Sequence, residues 1–144
     1  YVFWLYEKLR NLVRTPPKRR EFNKRISYRF TTLSFVELNS FYERFYEQKE
    51  YKSIPSDLKL DPLILAVWFM DDGSKDRDSI YFNTQQFDVD DQEILLSKLE
   101  EFGLSGALNR DKKYFRIRLY KKCVEKFKKI TLPHMLQSMH YKFP

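Results

Sequence analysis

"DPLILAVWFMDDGSKD", residues 61–76, is an apolar run that stops abruptly at two aspartates and a glycine. Asp61 followed by Pro62 reads as a helix N-cap and first helical position. The spacing predicts a helix to about Asp72, with Gly73 just past its end. At about 100° per residue, Leu65, Ala66, Phe69 and Asp72 share one face, while Ile64, Val67, Trp68 and Asp71 occupy the rest. A carboxylate at a helix C-terminus meets carbonyls that already carry partial negative charge, which costs stability unless something positive sits there. A hard divalent cation such as Mg²⁺ would serve, because it takes oxygen ligands from carboxylates, carbonyls and phosphates. Two readings of Asp71 and Asp72 stand side by side: solvated helix-end residues, or a metal site.

Downstream of that helix, "SIYFNTQ" (79–85) alternates as a strand. "DVDDQEILLSKLEEFG" is an acid-capped helix closed by Gly103. "SGALNRDKKYFRIRLY" reads as a hairpin turning near Asp111 and Lys112, followed by the basic helix "KKCVEKFKKI". Upstream, residues 1–13 carry helical apolar spacing, ended by "RTPPKRR". "RISYRFT" alternates as a half-buried strand. "SFVELNSFYERFYEQ" (34–48) opens on Ser34 with Glu37 three residues later, a capping-box spacing. Slid by about 90 positions, the first order of elements falls on the second: "RISYRF" on "FRIRLY", Tyr51-Lys52 on Tyr141-Lys142, and the first helix on the one ending at Gly103. The common offset predicts an internal duplication, residues 1–60 and 61–144, whose first copy lacks its opening helix. By that arithmetic the partner of Asp72 falls roughly 18 residues before Tyr1.

The 144 residues carry 27 Lys+Arg against 20 Asp+Glu, a formal charge of +7, which suits a polyanionic partner. Cys123 is the single cysteine, so no internal disulfide forms and a reducing compartment is expected. No apolar run has the length of a membrane span, and the N-terminus does not read as a signal peptide. His134 and His140 lack a third ligand nearby in sequence, so no zinc site is expected. Phe, Tyr, Lys and Ile abound while alanine occurs only at Ala66 and Ala107. That usage hints at an AT-rich, organellar genome, mitochondrial or plastid.

The stretch Leu65-Ala66-Val67-Trp68-Phe69-Met70-Asp71-Asp72-Gly73 resembles, position for position, the LAGLIDADG motif of homing endonucleases. The "WFMDDG" core resembles the second motif of the monomeric, I-SceI-type branch. "TPPKRRE", "KSIPSDL", "FNTQQF" and "LPHMLQSMHYKFP" extend the likeness in order along nearly the whole chain. Val67 departs from the motif, standing where the family name has a small glycine.

The resemblance implies an α+β fold: a pseudo-twofold repeat of αββαββα units with saddle-shaped antiparallel sheets, here with an N-terminally incomplete first repeat. It implies a site-specific DNA endonuclease, intron-encoded, making a double-strand break with Mg²⁺ or Mn²⁺ and no organic cofactor. Asp72 would be the catalytic carboxylate, with Asp72 and Gly73 at the metal. Lys52 and Lys142 match the family's supporting basic residues, and Gln85 would lie close by. The expected partner is double-stranded DNA, the enzyme acting as a monomer if the first motif lies upstream in the same polypeptide. The alternative is a non-catalytic member of the family, an intron RNA maturase or a repurposed ribosomal RNA binder, with RNA as partner. From the alternating strands, Arg25, Ser27 and Arg29, and likewise Arg116, Arg118 and Tyr120, offer basic faces for DNA; the bland alternative is that they solvate a sheet. Asn83 joins this nucleic-acid-binding set. Lys18, Arg19 and Arg20, with Arg110, Lys112 and Lys113, are expected to touch the phosphate backbone.

Overall fold

Asp61 and Pro62 do begin the decisive helix. Asp61 is extended, and its carboxylate accepts the Ile64 N–H at 2.7 Å, opening a helix of Pro62–Asp72. The structure, a computed structural model, describes residues 1–46 and 51–144. The chain divides into two compact units, Tyr1–Tyr42 and Glu43–Pro144.

In the first unit α1 (Val2–Lys8) leads through a 3₁₀ turn to β1 (Lys18–Phe22) and β2 (Arg25–Arg29). These strands pair antiparallel around Asn23 and Lys24, both at positive φ (48° and 62°), the twist a two-residue hairpin turn needs. Every residue of both strands is exposed, so the expected half-buried strand is not found. Ile26 and Tyr28 do share a face, but that face belongs to a two-stranded ribbon; Tyr28 packs on Phe3. A 3₁₀ turn at Val36–Leu38 then precedes α2 (Asn39–Phe45), which runs across the boundary between the units. Ser34 does not cap this segment: Phe35 holds the N-cap position of the 3₁₀ turn, without a side-chain bond. The rest of the helix expected to Gln48 lies partly outside the described residues.

The second unit runs α3 (Pro62–Asp72), β3 (Gly73–Asp76), β4 (Ser79–Phe82), α4 (Val89–Glu100), β5 (Gly106–Asp111), β6 (Tyr114–Leu119) and α5 (Val124–Thr131). This is the helix-strand-strand-helix-strand-strand-helix order that the resemblance implies. The residue pattern alone misses β3, whose "GSKD" is polar and sits on the sheet edge; Arg77 at φ 51° turns it into β4. The sheet is antiparallel in the order β3-β4-β6-β5. Ile80 faces Leu119 and Phe82 faces Ile117, and all four are fully buried on one side of the sheet. The intervening register pairs Tyr81 with Arg118 and Arg116 with Asn109 on the other side.

The buried stripe of α3 closes the core. Leu65, Ala66, Phe69 and Met70 are almost wholly buried, and Phe69 meets Phe82, Phe127 and Phe143 at ring distances of 5.0–6.0 Å. Gly73 is not in the left-handed conformation of a helix-ending glycine; it is extended (φ −76°, ψ 147°) and starts β3. Glycine is required by crowding, since a Cβ would overlap the ring and the carbonyl oxygen of Phe69. Asp88 caps α4 by accepting the Asp91 N–H, and Gly103, at φ 65°, ends that segment. Among the described residues no helix is long and apolar enough to cross a membrane.

Candidate active site

The last carbonyls of any α-helix lack intrahelical donors. Here Lys142, from the 3₁₀ turn Gln137–Lys142, supplies them. Its Nζ donates to the carbonyls of Met70 (2.6 Å), Gly73 (2.9 Å), Phe69 (3.3 Å) and Asp71 (3.4 Å). The carbonyl of Asp72 accepts both the backbone N–H and the side-chain amide of Asn83, each at 2.9 Å. The Lys142 ammonium thus places positive charge at the helix end that carries the two carboxylates. Burial lowers its pKa, and the charges of Asp71 and Asp72 work against that shift.

Asp72 ends a row with Trp68 and Ile64, four residues apart, that lines an open cavity of about 260 Å³. Leu65, Ala66 and Phe69, expected on the same face as Asp72, turn instead into the unit's own core. Lys52, Gln86 and Phe87 also border the cavity. The Asp72 carboxyl is held above the usual carboxylate range, first by partial burial and then by Asp71, while Lys52 and Lys142 pull it back down. Both lysines thus act on this carboxylate. Lys52 sits on the connector before α3, its Nζ 5.6 Å above the Phe87 ring. That connector is tied down next door: Ser53 N–H donates to the Phe45 carbonyl at 2.9 Å and Ile54 N–H to Asp91 Oδ1 at 2.7 Å.

Gln85 is engaged elsewhere, its amide donating to Asp111 at 2.9 Å, and it is Gln86 that borders the cavity with Asp72. Trp68, Gln86 and Phe87 are not among the site residues expected from the sequence. The spacing of Trp68, one helical turn before Asp72, was the available signal. Among the described residues no three His, Cys, Asp or Glu side chains converge as a metal site. Asp72 offers one carboxylate of the kind Mg²⁺ prefers, while the carbonyls of Gly73 and Asp71 already face Lys142. A hard cation here would be held by Asp72 together with phosphate oxygens and water, the carbonyl of Gly73, expected at the metal, being turned to Lys142.

Arg25, Ser27 and Arg29 share a strand face as expected, whereas Lys18, Arg19 and Arg20, expected in a loop, lie on β1, and Tyr120 follows the end of β6. Register places Lys18, Arg20, Arg25, Ser27 and Arg29 together on one face of the β1–β2 ribbon. Arg19 lies on the opposite face and pairs with Glu21 at 2.7 Å. In the second unit Arg116 stacks 4.2 Å from the Tyr81 ring and reaches Asn83 weakly at 3.5 Å. The Nε atoms of Arg116 and Arg118 are buried without a partner. Arg110 Nε bonds the Lys112 carbonyl, which orders the exposed turn bearing Lys112 and Lys113.

A sequence profile of the LAGLIDADG DNA endonuclease family matches residues 1–127. The cytochrome b mRNA maturase bI2 of Saccharomyces cerevisiae is 28% identical over 161 residues, 99% of this chain and 38% of that protein. Its namesake from Debaryomyces hansenii is 27% identical over 79% of this chain and 45% of its own length. The probable intron-encoded endonuclease 1 of Wickerhamomyces canadensis is 30% identical over 83% of this chain and 56% of its own. The chain thus spans between 38% and 56% of the length of these curated relatives. Among solved structures, the homing endonuclease I-WcaI bound to its DNA recognition sequence superposes on the whole chain with a TM-score of 0.90 at 27% identity, covering 72% of that chain.

Proposed function

The chain belongs to the LAGLIDADG DNA endonuclease family, and from that premise we propose that it acts as a site-specific, intron-encoded DNA endonuclease making a divalent-metal-dependent double-strand break. The carrying observation is the end of α3, where Asp72 stands exposed at a cavity mouth with Lys52 and Lys142 acting on its charge. Residues 1–60 and 61–144 are proposed as two repeats. The matching orders α1-β1-β2-α2 and α4-β5-β6-α5, each with a two-residue hairpin turn, support this.

In this reading Asp72 is a ligand of Mg²⁺ or Mn²⁺. The ion, when bound, supplies Lewis-acid activation of the scissile phosphate and of an attacking water. Lys142 and Asn83 fix the backbone from which Asp72 projects. Lys52 places positive charge where negative charge grows on the phosphate. Arg25, Ser27 and Arg29, with Arg116 and Arg118, offer donors to base edges, and the flanking lysines add salt-dependent affinity. Duplex selection from a random library tests this: a defined site cut on both strands in Mg²⁺ and spared in EDTA is expected. No cutting of any duplex would defeat it.

The pH profile carries a second expectation. Cleavage requires ionised Asp72, whose pKa is raised by partial burial and by Asp71. At subsaturating metal, activity falls as pH drops through a pKa displaced upward from that of a free aspartate. Lys52→Met removes a cation that lowers the pKa, so the acid limb moves to higher pH. Asp71→Asn removes a carboxylate that raises it, so the limb moves to lower pH. Shifts in the same direction would contradict the assignment.

A second reading is favoured by the name carried by two relatives, cytochrome b mRNA maturase. In it the same basic faces hold intron RNA and assist splicing. Gel shifts at matched salt separate the two: the nuclease reading expects the selected duplex to bind at least about a hundredfold more tightly than intron RNA, and the reverse order favours the maturase. An organellar origin, mitochondrial or plastid, accords with the AT-biased residue usage and with either reading.

A further inference from the structure

Resting on the nuclease reading, we propose that Asp91 is the positioning residue for Lys52: a buried carboxylate on α4 that fixes the connector from which Lys52 reaches the reacting phosphate. Asp91 is 7% exposed, in the first turn of α4. A carboxylate in that place is expected to serve its own helix. Here that task belongs to Asp88, which accepts the Asp91 N–H at 2.8 Å. The Asp91 side chain is turned instead to a backbone group 37 residues earlier, the Ile54 N–H, at 2.7 Å. A buried carboxyl is costly unless bonded, so this bond is a specific feature rather than incidental contact. Burial pushes its pKa up, the Ile54 N–H opposes that, and Asp88 and Asp90 add to the rise.

The bond falls two residues after Lys52. Tyr51–Leu60 forms no helix or strand, so its path depends on such anchors. Ile54 is itself buried (8% exposed) and lines the cavity beside Asp72, as does Leu95, one turn along α4 from Asp91. Asp91 thus holds Ile54 by its backbone at the wall of the cavity that Lys52 and Asp72 also line. Lys52 is held over the same cavity with its ammonium near Phe87. Release of the connector displaces that ammonium, and displacements of about 1 Å cost up to a hundredfold in rate.

The test uses the intact protein and its selected duplex. Asp91→Ala is expected to slow single-turnover cleavage tenfold to about a hundredfold with unchanged DNA affinity. The Asp91→Ala/Lys52→Met double variant is expected to be no slower than Lys52→Met alone, because both remove the same ammonium from the site. Asp91→Asn keeps the accepting oxygen and is expected to cleave at nearly the unmodified rate, which also guards against a folding defect in the alanine variant. Amide exchange at Ile54 should accelerate in Asp91→Ala and not in Asp91→Asn. Unmodified rate in Asp91→Ala, multiplying losses in the double variant, or unchanged Ile54 exchange would each overturn the proposal. Failure of the unmodified protein to cut any duplex overturns the nuclease reading instead, and Ile54 exchange then decides the anchor independently.

Discussion

Asp72→Asn is expected to slow double-strand cleavage about a thousandfold or more while leaving duplex affinity within tenfold. The substitution keeps the shape of the side chain and removes its negative charge. A metal ion contributes several kcal/mol to the transition state of phosphodiester hydrolysis, and each 1.36 kcal/mol is a tenfold rate change. Loss of about 4 kcal/mol therefore gives three decades. Affinity should survive, because the proposed reading assigns it to the basic faces, Lys18, Arg20, Arg25 and Arg29 on the ribbon and Arg116 and Arg118 on the sheet. Single-turnover rates and gel shifts on the same duplex measure the two effects separately. A full-rate Asp72→Asn enzyme would remove Asp72 from the chemistry.

Lys142→Met is expected to damage both stability and rate. Methionine fills similar volume but leaves the carbonyls of Phe69, Met70, Asp71 and Gly73 without their shared donor. Charged hydrogen bonds of this kind contribute roughly 1.5–3 kcal/mol, so a stability loss of about that size is expected in thermal or denaturant unfolding. Cleavage should fall about a hundredfold, from the lost charge and the loosened end of α3. Lys52→Met is the informative contrast. Lys52 is exposed, and it stands 5.6 Å over Phe87 rather than capping a helix. It should lose rate with little loss of stability. Equal stability losses for the two lysines would contradict the distinction between them.

That distinction was not legible in the sequence, which treated Lys52 and Lys142 as equivalent by their repeat positions. Repeat arithmetic reports which residues correspond, not where a long side chain ends. The bond from Lys142 to Met70 spans 72 residues, and no local pattern announces it. The same holds for Asp91 and Ile54. What was legible was local: Asp61 and Pro62 opening α3, Asp88 and Gly103 bounding the α4 segment, and the hairpin that turns at Lys112. Each combines a cap or turn residue with a clear apolar period. Where alternation was present without a covering layer, as at Ile26 and Tyr28, the expected burial did not follow. Where a strand was polar and at an edge, as at Gly73–Asp76, the pattern alone missed it. The family motif supplied the overall order that periodicity left incomplete.

The most direct measurement is localised cleavage of the polypeptide by iron(II) substituted for Mg²⁺, with ascorbate and peroxide generating hydroxyl radicals at the bound ion. The account predicts backbone cuts clustered at residues 70–73 and on the Lys52 connector, suppressed by excess Mg²⁺ and abolished in Asp72→Asn. Cuts that persist unchanged in Asp72→Asn, or that cluster away from the end of α3, would contradict it.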